Sequence, residues 1–301
     1  MTEIIQLKTI AELHRFFALD KPLHPLISIA WHKADQKFSF GEIRVTSDLY
    51  QVSMKGNMRG AFTYGRNSYD FEEGTLVFTA PGQVAAFKQS DFELSNSGWS
   101  LTFHPDLIRK SELGRTIKDY SFFDYAVFEA LHVSEKESNI LTELVKKVEI
   151  ELQQNIDDHS QDLMIVMLEA ILKYCRRYYN RQFHTRTNLN KDLIVRFEQY
   201  LETYFASEEL LERGLPTVTQ CGEALNMTGS YLSDLLKLET GKSALTYIHA
   251  HVIEAAKTLL LNTNDSVGEV AYRLGFQYQQ HFSKLFKAKT GISPSDFRNI
   301  N

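Results

Sequence analysis

Gln279, Gln280, His281, Ser283, Lys284 and Lys287 crowd one short stretch near the C-terminal end of this 301-residue chain. About fifty residues earlier stand Ser230, Ser233, Asp234 and Lys237. These side chains carry amides, hydroxyls, an imidazole, ammonium groups and one carboxylate. Their chemistry is hydrogen bonding and charge attraction. A glutamine amide can pair bidentately with the edge of adenine, and a lysine favours the acceptors of guanine. An aspartate can accept from the amino group of cytosine. His281 adds a base or phosphate contact, and the lysines also attract phosphate.

The elements that must position these groups can be read around them. In DSVGEVAYRLGFQYQQHFSKLFKAKTGISPSDFR, from Asp265 to Arg298, Val267, Val270, Ala271 and Leu274 recur at helical spacing. Asp265 or Ser266 can cap that helix, because a short side-chain oxygen accepts from the amides of the first turn. Gly275 ends it, Phe276 plugs the corner, and a second helix runs from about Tyr278 to Lys289. Its Phe282, Leu285 and Phe286 turn inward, which leaves the polar set outside. This is the pattern of a helix-turn-helix, whose second helix lies in a DNA major groove.

The pattern occurs twice. SDLLKLETG, Ser233 to Gly241, matches SKLFKAKTG, Ser283 to Gly291, at a constant offset. Upstream of the earlier copy, Val218, Cys221, Ala224 and Leu225 form an apolar face, Met227 takes the corner and Thr228 caps the next helix. Between the copies, Leu245, Ile248, Val252, Ile253, Ala256, Leu259 and Leu260 suit a long, largely buried helix. Asp234 stands where Lys284 does, so the halves read different sequence. Asp234 either accepts from cytosine or is a helix-surface acid that weakens its half.

The last hundred residues resemble the DNA-binding domain of the AraC/XylS family of bacterial transcription regulators. The matching residues are Ile253 to Leu260, Val270-Ala271 to Gly275-Phe276, Phe282 to Lys287, and Thr290-Gly291 through Pro294 to Arg298. The resemblance implies a sequence-specific regulator acting on promoter or operator double-stranded DNA. Its partners would be a second copy of the chain, a small-molecule effector and RNA polymerase. It assigns 1–134 to a cupin-like sensor domain, 135–180 to a helical dimerisation or packing segment, 181–190 to a linker and 191–301 to DNA binding. The fold class is α+β: a cupin-like β-barrel with flanking helices, then an all-α domain. GTLVFTAPGQ, from Gly74, and SGWSLTFHPDLIRKSELGR carry the front part of the likeness.

The residues of the front half read independently as β-rich. Leu26–His32, Leu49–Lys55, Gly60–Gly65, Gly74–Phe87 and Trp99–His104 are short, rich in β-branched and aromatic residues, and separated by turn formers. Trp31, Phe38, Phe40, Tyr50, Phe62, Tyr64, Tyr69 and Phe78 either line a cavity or fill the barrel. Arg44, Lys55 and Arg59 meet an anionic ligand or sit in solvated turns. Two amphipathic helices follow. Leu141, Val145, Val148, Leu152 and Ile156 form one stripe; Leu163, Met167, Ala170, Tyr174 and Tyr178 form the other. They pack on the barrel or across a dimer axis.

Charge is distributed unevenly. The net −5 divides into −8 over residues 1–172, +5 over 173–190 and −2 over 191–301. The DNA-binding segment is therefore not basic overall, but from Phe276 onward Lys284, Lys287, Lys289 and Arg298 face Asp296 alone. That local edge suits phosphate contacts with weak non-specific affinity. His24, His32 and His104 are widely spaced, and His249 and His251 lie two apart on a helix, where side chains diverge. No metal, cofactor or catalytic residue is expected, which sets aside a cupin-type enzyme. A ligand-independent dimeric DNA-binding protein is the remaining alternative. Cys175 and Cys221 read as buried thiols. With no membrane-length apolar run and no leader pattern, a cytoplasmic location is expected.

Overall fold

The structure is a computed structural model that describes residues 4–32, 37–38, 43–55, 58–64, 67–71, 74–87, 92–93, 98–126, 129–154, 159–185 and 187–300. It divides into two compact units, Met1–Gln182 and Phe183–Asn301. Helix and strand are both present. Among the described residues the strands all lie in the first unit, and the second is helical.

The largest sheet of the first unit has five strands in the order Leu131–His132, Thr75–Thr79, Tyr50–Lys55, Gly98–Phe103 and Ile27–Trp31, all antiparallel. Alternation along a strand splits its side chains between two faces. One face carries Ile27, Trp31, Trp99, Leu101, Phe103, Val52, Met54, Leu76 and Phe78. The helices Glu135–Gln153 and Ser160–Thr185 cover it. Trp31 donates to Glu149 Oε1 at 2.7 Å, Trp99 donates to Thr142 at 3.2 Å, and the Phe78 ring meets Tyr179. The other face carries Ser28, Ser53, Ser100, Thr102 and Thr75, of which all but Ser100 are buried. Ser100 bonds to Ser53 at 2.8 Å and to His32 at 2.9 Å. Burial, then the charge of Lys55, draws the His32 pKa down to about 4, and burial draws that of Lys55 down to about 8.

A second sheet joins Ile4–Leu7, parallel, and Val84–Phe87, antiparallel, to Ile43–Ser47. The long β segment expected from Gly74 to Phe87 is thus two strands in different sheets, broken at Ala80–Gln83, where Pro81 removes a ladder donor. Among the described residues the strands fall into four separate sheets. Of the cavity aromatics, Phe78 is core, packed against Phe122, Phe123 and Tyr179, and Tyr50 stacks on Phe103. Phe40 and the side chains of Phe38, Arg59, Phe62, Tyr64 and Tyr69 lie outside the described residues.

The helical stripes fare differently. Leu141, Val145 and Val148 are buried as expected, Leu152 is half-buried, and Ile156 lies outside the described residues. On Ser160–Thr185 the expected Tyr178 is buried, but Met167, Ala170 and Tyr174 are half-buried and Leu163 is exposed; the buried face runs instead through Met164, Leu168, Ile171, Leu172, Cys175 and Tyr179. This helix is apolar around much of its circumference, so helical spacing permits either stripe and the Phe122–Phe123–Tyr179 stacking selects one. Residues 181–185 and 187–190 are helical where an irregular linker is expected.

Candidate nucleic-acid interface

In the second unit the two recognition helices are Gly229–Thr240 and Gln279–Thr290. Each is preceded by a seven-residue supporting helix, Val218–Ala224 or Val267–Arg273. Both supporting helices begin with a capping box, Thr217 with Gln220 and Ser266 with Glu269, so reciprocal bonds satisfy the first-turn donors. The Ser266 N–H, bonded to the Glu269 carboxylate, holds its pKa below the usual range. Ser266 is the cap; Asp265 instead accepts from Arg273 at 2.6 Å.

The two turns have the same construction. Met227 N–H donates to the Gly222 carbonyl and Phe276 N–H to the Ala271 carbonyl, each at 3.0 Å. The residue before each corner is left-handed: Asn226 has φ 60° and Gly275 φ 80°. Asn tolerates this conformation, and glycine adopts it without strain. At Gly275 a Cβ would also sit 2.7 Å from the Leu210 carbonyl oxygen, so the helix Glu209–Arg213 closes against this corner. Each recognition helix ends on a left-handed glycine, Gly241 or Gly291.

The helices are seated by apolar residues. Phe282 and Phe286 are fully buried among Ile253, Ala256, Leu260, Val270, Ala271 and Leu274. Leu232 and Leu236 are their counterparts in the first unit of the repeat, both fully buried. The linking helix Ala244–Asn262 buries Ile248, Val252, Ile253, Ala256 and Leu260; its Leu245 is exposed, as is Ala224 on the first supporting helix. Those two apolar expectations fail because each residue lies at the margin of its stripe.

The structure brings the predicted contact residues onto the outer sides of these helices. Gln279, Gln280, His281, Lys284 and Lys287 are exposed and Ser283 is half-buried. On the first helix Lys237 is exposed, while Ser230, Ser233 and Asp234 are half-buried. Gln279 leans back over the supporting helix: a Cβ on Gly268 would lie 3.3 Å from its Oε1. His281 packs edge-on against the exposed Tyr278 ring at 5.5 Å.

Residues 221–300 match a protein family described as a helix-turn-helix domain. An uncharacterized HTH-type transcriptional regulator of Escherichia coli, YijO, is 26% identical over 75% of this chain and 76% of its own length. The arabinose operon regulatory protein of the same organism is 28% identical over 46% of this chain and 45% of its own. The C-terminal region carries an AraC-type helix-turn-helix domain, as DNA-binding transcription regulators do. Among solved structures, the C-terminal domain of AraT, a response regulator from Geobacillus stearothermophilus, aligns with a TM-score of 0.32. The identity is 31%, over 36% of this chain and 85% of that one.

In this AraC-type domain the matched region holds both recognition helices and the helix linking them. Beside the contact candidates the structure also exposes Tyr278. It stands one position before the second recognition helix and three before His281. His251 packs on the Phe205 ring. His249 has its pKa lowered by burial and then by the charge of Lys289. His24, His32 and His104 each have a local role, accepting from Leu26 N–H, bonding Ser100 and capping Pro105–Ile108. Among the described residues no group of three metal-ligating side chains converges. No described helix is long and apolar enough to cross a membrane.

Proposed function

We propose that this AraC-type regulator reads its operator with two helices in successive major grooves, and that its front unit adjusts DNA affinity in response to a small molecule. The observation that carries the reading is the repeated geometry. Two helices of twelve residues, each on the same capped support and corner, leave polar faces outward on either side of one linking helix. Gln280, His281 and Lys284 take base edges; Gln279, Ser283 and Lys287 support them and meet the backbone. Ser230, Ser233, Asp234 and Lys237 form the weaker half. The partial burial of Ser230, Ser233 and Asp234 leaves less surface to offer, and Asp234 puts a negative charge where the second helix has Lys284.

The front unit, 1–134, is read as a cupin-like sensor, supported by its antiparallel sheet with one buried hydroxyl-lined face. Residues 135–180 pack on it and pair the chain as a homodimer, with 191–301 delivered to DNA in the cytoplasm beside RNA polymerase. Regulation is a population shift: an effector alters DNA affinity only by its differential binding to two arrangements. No residue is assigned to catalysis.

The test uses a duplex selected by the full chain from random DNA. Gln280→Ala is expected to cost about 1–3 kcal/mol and to relax preference at one position. Lys284→Ala should cost a similar amount and relax preference at a second position. Unchanged affinity and unchanged preference in both variants would remove this helix from the interface.

A further inference from the structure

A cavity of about 390 Å³ opens in the first unit beside the strand Ile27–Trp31. Among the described residues that strand is at the edge of the five-stranded sheet, with no strand paired on the side away from Gly98–Phe103. The cavity is walled by the segment after the helix Ile10–Phe16 and roofed by the end of the helix Glu135–Gln153. The wall is fixed. The buried His14 places Nε2 2.5 Å from Ser28 Oγ and Nδ1 against the Asp20 carbonyl oxygen, so one imidazole ties wall to strand.

The lining is apolar at Leu19, Ile29 and Leu152 and aromatic at Trp31. Glu149 provides the central polar group. Its Oε1 accepts from the Trp31 indole at 2.7 Å, which fixes the carboxylate against the ring. Among the described residues no Lys, Arg or His forms an ion pair with Glu149. Asp20 adds a second carboxylate and Lys21 one ammonium, both on exposed residues at the rim, so the lining is net negative. A carboxylate held against an indole, with apolar walls around it, matches an ammonium group on a hydrophobic body. The volume is that of a small-molecule site.

We propose that this cavity binds a small organic ammonium ion, with the cation on Glu149 and the Trp31 ring and the apolar part against Ile29 and Leu152. The proposal rests on the sensor reading of the front unit and deepens it by naming the ligand class. Binding joins the wall, the sheet edge and the end of the helix Glu135–Gln153, three elements that a ligand can hold in one arrangement.

The probes are 2-phenylethylamine, its neutral counterpart 2-phenylethanol and the anion 3-phenylpropionate, titrated into the full chain by calorimetry. Fluorescence of Trp31 gives a parallel readout. The amine should bind with one-to-one saturation, and the anion at least tenfold more weakly. Glu149→Gln should weaken the amine at least tenfold and leave the alcohol unchanged. No saturable amine binding, or equal binding of all three probes by the natural chain, overturns the site whether or not the variant folds. An unchanged amine affinity in folded Glu149→Gln overturns it too. DNA shifts run alongside separate the two readings. If the amine binds as expected and DNA affinity does not move, the site stands and the sensor reading fails.

Discussion

Phe282→Ala is expected to destabilise the C-terminal unit by about 3–5 kcal/mol. The ring is fully buried, meets Phe276 and Phe286 at 5.5 and 5.7 Å, and joins the second recognition helix to its support and to the linking helix. Its removal leaves a cavity that three helices must collapse to fill, so both transfer energy and packing are lost. A unit of this size should melt at least about 10 °C lower. Hydrogen exchange over residues 253–300 isolates this unit from the front one. The effect should be concentrated there, with DNA affinity falling in parallel. A loss under about 1 kcal/mol would mean that the second recognition helix is seated by something other than this core.

Gly222→Ala acts on the other half. A Cβ at Gly222 would lie 2.6 Å from Gly229 N, 2.8 Å from the Met227 carbonyl oxygen and 2.8 Å from Thr228 C. All three are backbone atoms at the start of the first recognition helix, so no side chain can swing aside. Across the same contact, a Cβ at Gly229 would in turn meet the Val218 carbonyl oxygen at 2.7 Å. The first supporting and recognition helices therefore touch backbone to backbone. Overpacking of this kind costs about 1–3 kcal/mol and displaces the recognition helix. The second half has Ala271 and Gln279 in these places, so it does not depend on the same contact. Gly222→Ala should accordingly abolish sequence preference at the half read by Ser230 to Lys237 while sparing the half read by Gln279 to Lys287. Equal loss in both halves, or none in either, contradicts this packing.

The repeat was legible because its determinants are local. Ser, Leu, Lys, Thr and Gly recur at one offset through Ser233–Gly241 and Ser283–Gly291, and each serves its own helix as face, cap or stop. The turns are not quite in step. Met227 corresponds to Phe276, one residue short of that offset, because Gln277 lengthens the second corner. What periodicity could not decide was the face of Ser160–Thr185, where two stripes are apolar and tertiary stacking on Tyr179 chooses. The break at Ala80–Gln83 was missed because two strands serving different sheets read as one apolar run. The exposed polar set from Gln279 to Lys287 was legible as a helix face. Its supports were not: Leu210 against Gly275, and Glu149 against Trp31 across 118 residues of sequence, are pairings that only the fold creates.

Hydroxyl-radical footprinting of the full chain on its selected duplex tests the central claim most directly. Two recognition helices in successive grooves predict two protected tracts on one face of the DNA, about 34 Å or one helical turn apart. The Gln280→Ala, Lys284→Ala double variant should erase one tract and leave the other. A single tract, or two tracts that the double variant leaves intact, would contradict reading by both helices.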